Sequence, residues 1–462
     1  MELDLAINDG SVIDTEKRRR RPLNVGIRGD KIVAVTAQKL KAKRVIDACG
    51  LIVSPGFIDV HAHLDGDAYG GELAACQGIT TSIGGNCGLS PIEMEDFFQA
   101  QERDGYPIHQ AEYVGHSFSL RREAGLKNPY VPASPEQIAR MECLAQKALE
   151  EGACGISFGL DYSPGASLEE IRALAALCAA KDRVMPVHTR LFTRYDLDSL
   201  TEILSIARDT GVRLLFSHFV YQYGEGDLDS ALEIVDKARD AGLDIHIDSG
   251  MYTDWATYIH TATYDLQTIH DNGMHFHDMM VATGPYIGQR LDFELYAKIR
   301  NEYPDESIIY CNHLKDEAHR TLRCPYAMPS TDMGAYSPGE GHPQIAGTFP
   351  KFIKDMVRIR GELSLEEALS KATLLPARLF AIPGKGKIEE GFDADLTVFD
   401  FDRLSDLAVY PDQGRPDAKP VGIEYVMVAE IWWWTRNLSK FTKTRPCHTI
   451  HAIKQKKILT AP

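Results

Sequence analysis

Between residues 54 and 382 short apolar runs alternate with amphipathic helical segments, and no other feature of the chain restricts its fold as strongly. Runs such as Gly78-Ile79-Thr80-Thr81-Ser82-Ile83, Gly155-Ile156-Ser157-Phe158 and Val212-Arg213-Leu214-Leu215-Phe216 have the length and β-branched content of buried strands. Residues 135–151, 167–181 and 228–241 carry helical spacing between them. Alternation of this kind over roughly 300 residues predicts an α/β fold of parallel βα units, and the length suits a (β/α)8 TIM-like barrel. Residues 255–310 break the rhythm and are expected to form an excursion between late barrel units.

The flanks read differently. Residues 3–53 show period-two alternation broken at Asp9-Gly10 and Gly29-Asp30, which predicts a small antiparallel sheet with Arg18 to Arg21 in a solvated hairpin loop. Strand-like runs return in Ala394-Asp395-Leu396-Thr397-Val398-Phe399 and Ile423-Glu424-Tyr425-Val426-Met427-Val428. The expected organisation is a small β-sandwich domain from residues 1–54 plus 384–462, beside a barrel of residues 55–383. With 44% apolar and 25% charged residues the chain can bury a large core. Its net charge of −16 repels phosphate backbones and anionic lipid, so a small molecule is the expected partner rather than nucleic acid or membrane, and an oligomer is compatible with it. Nine cysteines without framework spacing read as reduced thiols. Met1-Glu2-Leu3-Asp4 lacks a signal-peptide pattern, and a cytoplasmic location is expected.

The strongest local signal is Pro55-Gly56-Phe57-Ile58-Asp59-Val60-His61-Ala62-His63. Side chains at i and i+2 of a strand share a face, so His61 and His63 can present two imidazoles to one point. They end an apolar run, at the strand end where βα barrels keep their sites. Cys87, His188, His218 and Asp332 lie far apart in sequence, yet most follow a β-like run and can converge at the same barrel mouth. Imidazole, thiolate and carboxylate around a hydrolytic centre favour Zn²⁺.

These residues, together with Gly85-Asn86-Cys87-Gly88, Gly159-Leu160-Asp161-Tyr162, Ser217-His218, Gly347-Thr348-Phe349-Pro350 and Gly391-Phe392-Asp393-Ala394-Asp395-Leu396, make the chain resemble the amidohydrolase superfamily, and within it the N-acyl-D-amino-acid deacylase (D-aminoacylase) family. The resemblance spans nearly the whole chain. It implies a tightly held zinc on Cys87, His188 and His218, and a second, weaker site on His61, His63 and Asp332 with Cys87 bridging. It also implies that Asp332 acts as general base and then acid in hydrolysis of a linear amide, with cyclic amide hydrolysis and a catalytically silent scaffold as the alternatives. His116 and Asp161 occupy family-like positions near the mouth and are candidate substrate contacts.

The chain departs from that family where substrate carboxylate is bound. A lysine is expected shortly after the second barrel histidine, where Phe219-Val220 stand, and an arginine after His342-Pro343, where Gln344 stands. Tyr252 matches the family's tyrosine-rich strand end, and Arg190 in His188-Thr189-Arg190 remains a candidate anion partner. Weak turnover of simple N-acetyl-D-amino acids is therefore expected. From residue 431 onward the chain has seven Lys+Arg, no Asp or Glu, and the run Trp432-Trp433-Trp434. A polybasic, Trp-rich tail fits a membrane-surface or anionic-partner element, but the favoured expectation is a reading-frame slip near Ala429, because TGG codons shifted by one base read as the valines the family places there. It predicts the loss of one closing strand and an exposed sheet edge.

Overall fold

The structure, a computed structural model, describes residues 2–191, 197–224, 226–312, 316–428 and 431–434. Its centre is the expected barrel. Phe57–Asp59, Ile79–Gly84 and His109–Glu112 pair in parallel, and the third continues through Val114–Gly115 into a parallel series of Ile156–Gly159, Val184–His188, Arg213–Phe216, Ile245–Ser249 and Ala327–Pro329. Closure comes from Met333–Gly334 pairing in parallel with Ala62–His63, which joins the last barrel unit to the first. The connecting helices form where the sequence placed them. Pro135–Glu150 and Leu168–Ala180 each open with a capping box, Ser134 with Gln137 and Ser167 with Glu170, and these satisfy backbone N–H groups that the first turn leaves unpaired. Asp198–Thr210 ends at Gly211, whose φ of 72° is the left-handed value that glycine adopts without strain.

Side-chain alternation then divides the barrel. Leu214, Phe216, Ile156, Phe158, Ile245 and Ile247 point outward into one large core with the helices. Val60, Val184, Leu215 and Met328 point inward, where they meet Leu379. The excursion predicted for residues 255–310 contains a three-stranded antiparallel sheet, Trp255–Tyr258, Ser307–Tyr310 and Met279–Val281, around its own core of Ile259, Tyr264, Val281, Ile299 and Ile308. It lies between the last two barrel units in sequence.

The chain ends share one eight-stranded sheet. Ile52–Pro55 joins Leu3–Asp14 on one side and Leu396–Phe399 on the other, so strands from both termini are neighbours. The sheet is mixed rather than antiparallel as expected for residues 3–53. Leu3–Asp14 runs parallel to both Ala42–Asp47 and Ile52–Pro55, because after Lys31–Thr36 pairs with the far side of Arg19–Arg28, residues 37–41 carry the chain across to the other side of Leu3–Asp14 instead of turning straight back. Arg19 to Arg21 are strand residues, not a loop, and Arg18 and Arg20 face the carboxylates of Glu367 and Glu366. Ile431–Trp434 pairs antiparallel with Ile423–Val428, so an edge strand stands where its loss was expected, while residues 435–462 lie outside the described residues. Among the described residues no helix is long and apolar enough to cross a membrane.

Candidate metal centre

Six side chains that the sequence scatters over 272 positions gather where the barrel strands end. The Sγ of Cys87 lies 3.5 Å from His61 Nε2, 3.5 Å from His218 Nε2 and 3.7 Å from His188 Nδ1. Asp332 Oδ1 lies 3.3 Å from His61 Nε2 and 3.2 Å from His63 Nε2. Three overlapping sets, His61-His63-Cys87, Cys87-His188-His218 and His61-His218-Asp332, each keep their ligand atoms within 4.8 Å of one another. These separations fit the group that the donor set calls for. Ligands held by a tetrahedral zinc at its ordinary bond lengths stand about 3.5 Å apart for sulfur and nitrogen, and about 3.3 Å apart for nitrogen and oxygen.

The backbone is bent to achieve this. Cys87, His218 and Asp332 take left-handed φ values of 51°, 32° and 52°. Non-glycine residues rarely adopt that region, at a cost of order 1–3 kcal/mol each, and it persists where surrounding structure over-determines it. The restraints are visible. Asp332 donates its N–H to the carbonyl of His61 at 2.8 Å, and its own carbonyl accepts from the Gln344 side chain. Asp248 accepts the His218 N–H at 2.9 Å and the Ser330 hydroxyl at 2.7 Å, and its second oxygen lies 3.4 Å from His61 Nδ1. A carboxylate behind a ligating imidazole fixes its tautomer and ring orientation.

Burial alone would raise the Cys87 thiol, but the charge of His61 and hydrogen bonds with His188 and His218 take it well below its ordinary value. Burial would likewise raise Asp332, and His61 and His63 hold it well below the carboxylate range. Against its own burial, His63 is pushed up to about 10 by Asp332 and Cys87. The cluster thus concentrates two anions in the interior, and protons on the imidazoles occupy the role that a divalent cation would take over.

A cavity of about 980 Å³ opens over the cluster and is floored by His63, Cys87, His188, His218 and Asp332. The four remaining candidates separate here. Asp161 lines the cavity and accepts from the Thr263 hydroxyl at 2.7 Å. Arg190 does not reach the cavity wall; its guanidinium is taken up by Glu202 and by the carbonyls of Pro164 and Ala166, which leaves little for an anion. His116 is fully buried and sits 2.8 Å from Glu170, which also takes the Arg121 guanidinium. Tyr252 packs edge-on against His342, with its hydroxyl directed to Asp406. The sequence reading left Asp248 without a role, although its place at the end of an apolar strand run was the available signal. Tyr221, whose ring lies 5.4 Å from His218 on the cavity wall, carried no such signal.

The buried His116-Glu170-Arg121 group has a consequence for stability. Burial would raise Glu170, but His116 and Arg121 overcome it and hold the carboxyl at about 2, against an ordinary 4.5. A depressed carboxyl stabilises the fold fully above its unfolded pKa, and the contribution disappears as pH falls through the folded value. Glu170→Gln is expected to cost about 3 kcal/mol at pH 7 and to flatten the loss of stability between pH 5 and pH 2, as measured by urea unfolding across that range.

Comparison with known proteins places this geometry. The amidohydrolase family profile matches residues 52–429. An N-acyl-D-glutamate deacylase of Alcaligenes xylosoxydans xylosoxydans is 32% identical over 92% of this chain and 93% of its own length, and a D-aminoacylase of the same organism is 28% identical over 93% and 94%. The crystal structure of N-acyl-D-glutamate deacylase from Bordetella bronchiseptica, complexed with zinc and a phosphonate mimic of the tetrahedral intermediate, superposes with a TM-score of 0.86 at 27% identity. It covers 98% of this chain and 100% of that one.

Proposed function

The chain belongs to the amidohydrolase family, in its N-acyl-D-amino-acid deacylase branch, and from that premise we infer that it removes the acyl group of a linear N-acyl compound related to N-acyl-D-amino acids. It is a metal-dependent hydrolase of a C–N bond, with zinc as the metal that its donors fit. The observation that carries the finer reading is Cys87 standing within 3.7 Å of three imidazoles, because a shared thiolate takes the place of a bridging lysine and none occurs in the run Gly155 to Gly159. In this reading Cys87, His188 and His218 hold the tighter ion, and His61, His63 and Asp332 share Cys87 in a weaker site.

Zinc, when bound, supplies Lewis-acid polarisation of the amide carbonyl and makes water nucleophilic at neutral pH. The protein's own groups do the remainder. Asp332, ionised and fixed by its contacts with His61 and His63, removes the proton of the attacking water and returns it to the departing amine nitrogen. Asp248 keeps His61 and the His218 backbone in register. In this reading the described residues divide into a barrel of 55–383 and a small β domain drawn from 2–54 and 384–434. Eight cysteines without disulfide partners among the described residues support a reducing, cytoplasmic setting.

A panel of N-acetyl-D-amino acids, N-acetyl-D-dipeptides and cyclic ureides tests the reading. The expected result is acetate release from acyclic members only, lost on chelation and restored by zinc. Ring opening of the ureides alone, or hydrolysis indifferent to chelation, would contradict it.

A further inference from the structure

The cavity's wall says which end of the substrate carries charge. Beside the candidate ligands it carries Phe118, Tyr162, Tyr221, Trp255, Tyr258 and Tyr336, interspersed with polar side chains such as Ser117, Thr257 and Thr263. The two positions where a cation could have reached the scissile amide from the sequence side do not supply one. Val220 is fully buried against Ala318, and Gln344 turns its amide to the Asp332 carbonyl while its oxygen faces the Tyr221 hydroxyl at 3.5 Å. Apart from imidazoles, the cations lining the cavity among the described residues are Arg121, Arg122 and Lys127. Arg121 is 2% exposed and neutralised by Glu170. Arg122 and Lys127 are exposed, and the ion pair Arg122 makes is a loose 3.8 Å contact with its neighbour Glu123.

Their position is built rather than incidental. Arg121 is clamped between Glu170 and the carbonyl of Val131, Leu126 N–H donates to the Arg121 carbonyl at 2.9 Å, and Gly165 N–H donates to Pro129 at 2.8 Å. The segment bearing Arg122 and Lys127 is thereby fixed along the mouth. The acids on the rest of the wall are already engaged, Asp67 by Gly70 N–H, Asp65 by Gly85 N–H and Asp161 by Thr263, and they repel an anion from other parts of the opening.

Resting on the deacylase reading, we propose that Arg122 and Lys127 determine specificity by binding a carboxylate remote from the scissile bond, so that the substrate is an extended N-acyl compound with an aromatic or apolar group next to the amide and its anionic end at the rim. The cavity is large enough for such a molecule, at the upper end of the usual range for small-ligand sites. A carboxylate placed beside the amide would instead meet tyrosyl hydroxyls and imidazoles but no lysine or arginine, and would forgo the stronger charge-assisted hydrogen bonds available at the rim.

Acetate release is compared for N-acetyl-D-phenylalanine, N-acetyl-D-phenylalanyl-glycine, N-acetyl-D-phenylalanyl-glycyl-glycine and neutral N-acetyl-D-phenylalaninamide. The expected order of kcat/KM has the longest acid above the amide by about tenfold and the shortest acid below it. That ratio should fall towards one in the Arg122→Ala/Lys127→Ala variant and on raising salt from about 50 to about 500 mM, and should survive in Arg122→Lys/Lys127→Arg. A preference for N-acetyl-D-phenylalanine, or a ratio that persists in the double alanine variant, overturns the assignment. If the zinc-loaded enzyme releases acetate from none of the four, the deacylase reading fails. Calorimetric binding of the longest acid to wild type and double alanine variant then decides the rim assignment alone: equal affinity overturns it, weaker binding by the variant supports it.

Discussion

Cys87→Ala is expected to leave the purified protein with less than about a tenth of the wild-type zinc and with no measurable amide hydrolysis, whereas Cys154→Ala, a substitution at another buried cysteine, keeps both. Cys87 is the one ligand common to the two sets that include His63 and His188, so its removal opens both. Alanine also leaves His61, His188 and His218 facing one another without the thiolate between them, and of the two anions that concentrated charge for a cation only Asp332 remains. The left-handed backbone at residue 87 is as strained for alanine as for cysteine, so the loss of metal is not a by-product of relieved strain. Metal analysis by mass spectrometry after gel filtration, with a melting curve for each variant, separates this from unfolding. Cys87→Ala protein that retained wild-type zinc would remove the thiolate from the account.

Asp332→Asn is the complementary case, with turnover expected to fall by about 10³-fold while the zinc on Cys87, His188 and His218 stays bound. The carboxamide keeps the shape of the side chain, and the bonds that fix the residue, its N–H to His61 and its carbonyl from Gln344, belong to the backbone. What is lost is the proton acceptor between His61 and His63. Single-turnover acetate release, read beside the metal content, checks this: equal losses of zinc and activity would make Asp332 a ligand only.

These two expectations rest on residues that the sequence identified, and the reason is physical. His61 and His63 share a face because strands repeat every two residues, and most of the further candidate ligands follow an apolar run that had to become a barrel strand, so a closed sheet brings their ends together whatever lies between them. Side chains that depend on a partner's direction were not legible in that way. Arg190 follows a ligand by two residues and looked available to an anion, yet Glu202 and two carbonyls use it; nothing in the spacing of 190 and 202 announces that contact. His116 similarly went to a buried ion group whose other members are Glu170, read as a helix residue, and Arg121. The mixed order of the terminal sheet escaped for a related reason, since alternation reports which face is buried and not which way the neighbouring strand runs.

X-ray absorption at the zinc edge of the holoenzyme tests the central claim most directly. One sulfur scatterer at about 2.3 Å is expected, with nitrogen and oxygen at about 2.0–2.1 Å, and no sulfur shell in whatever zinc Cys87→Ala can be forced to take up. A wild-type spectrum fitted by nitrogen and oxygen alone would contradict it.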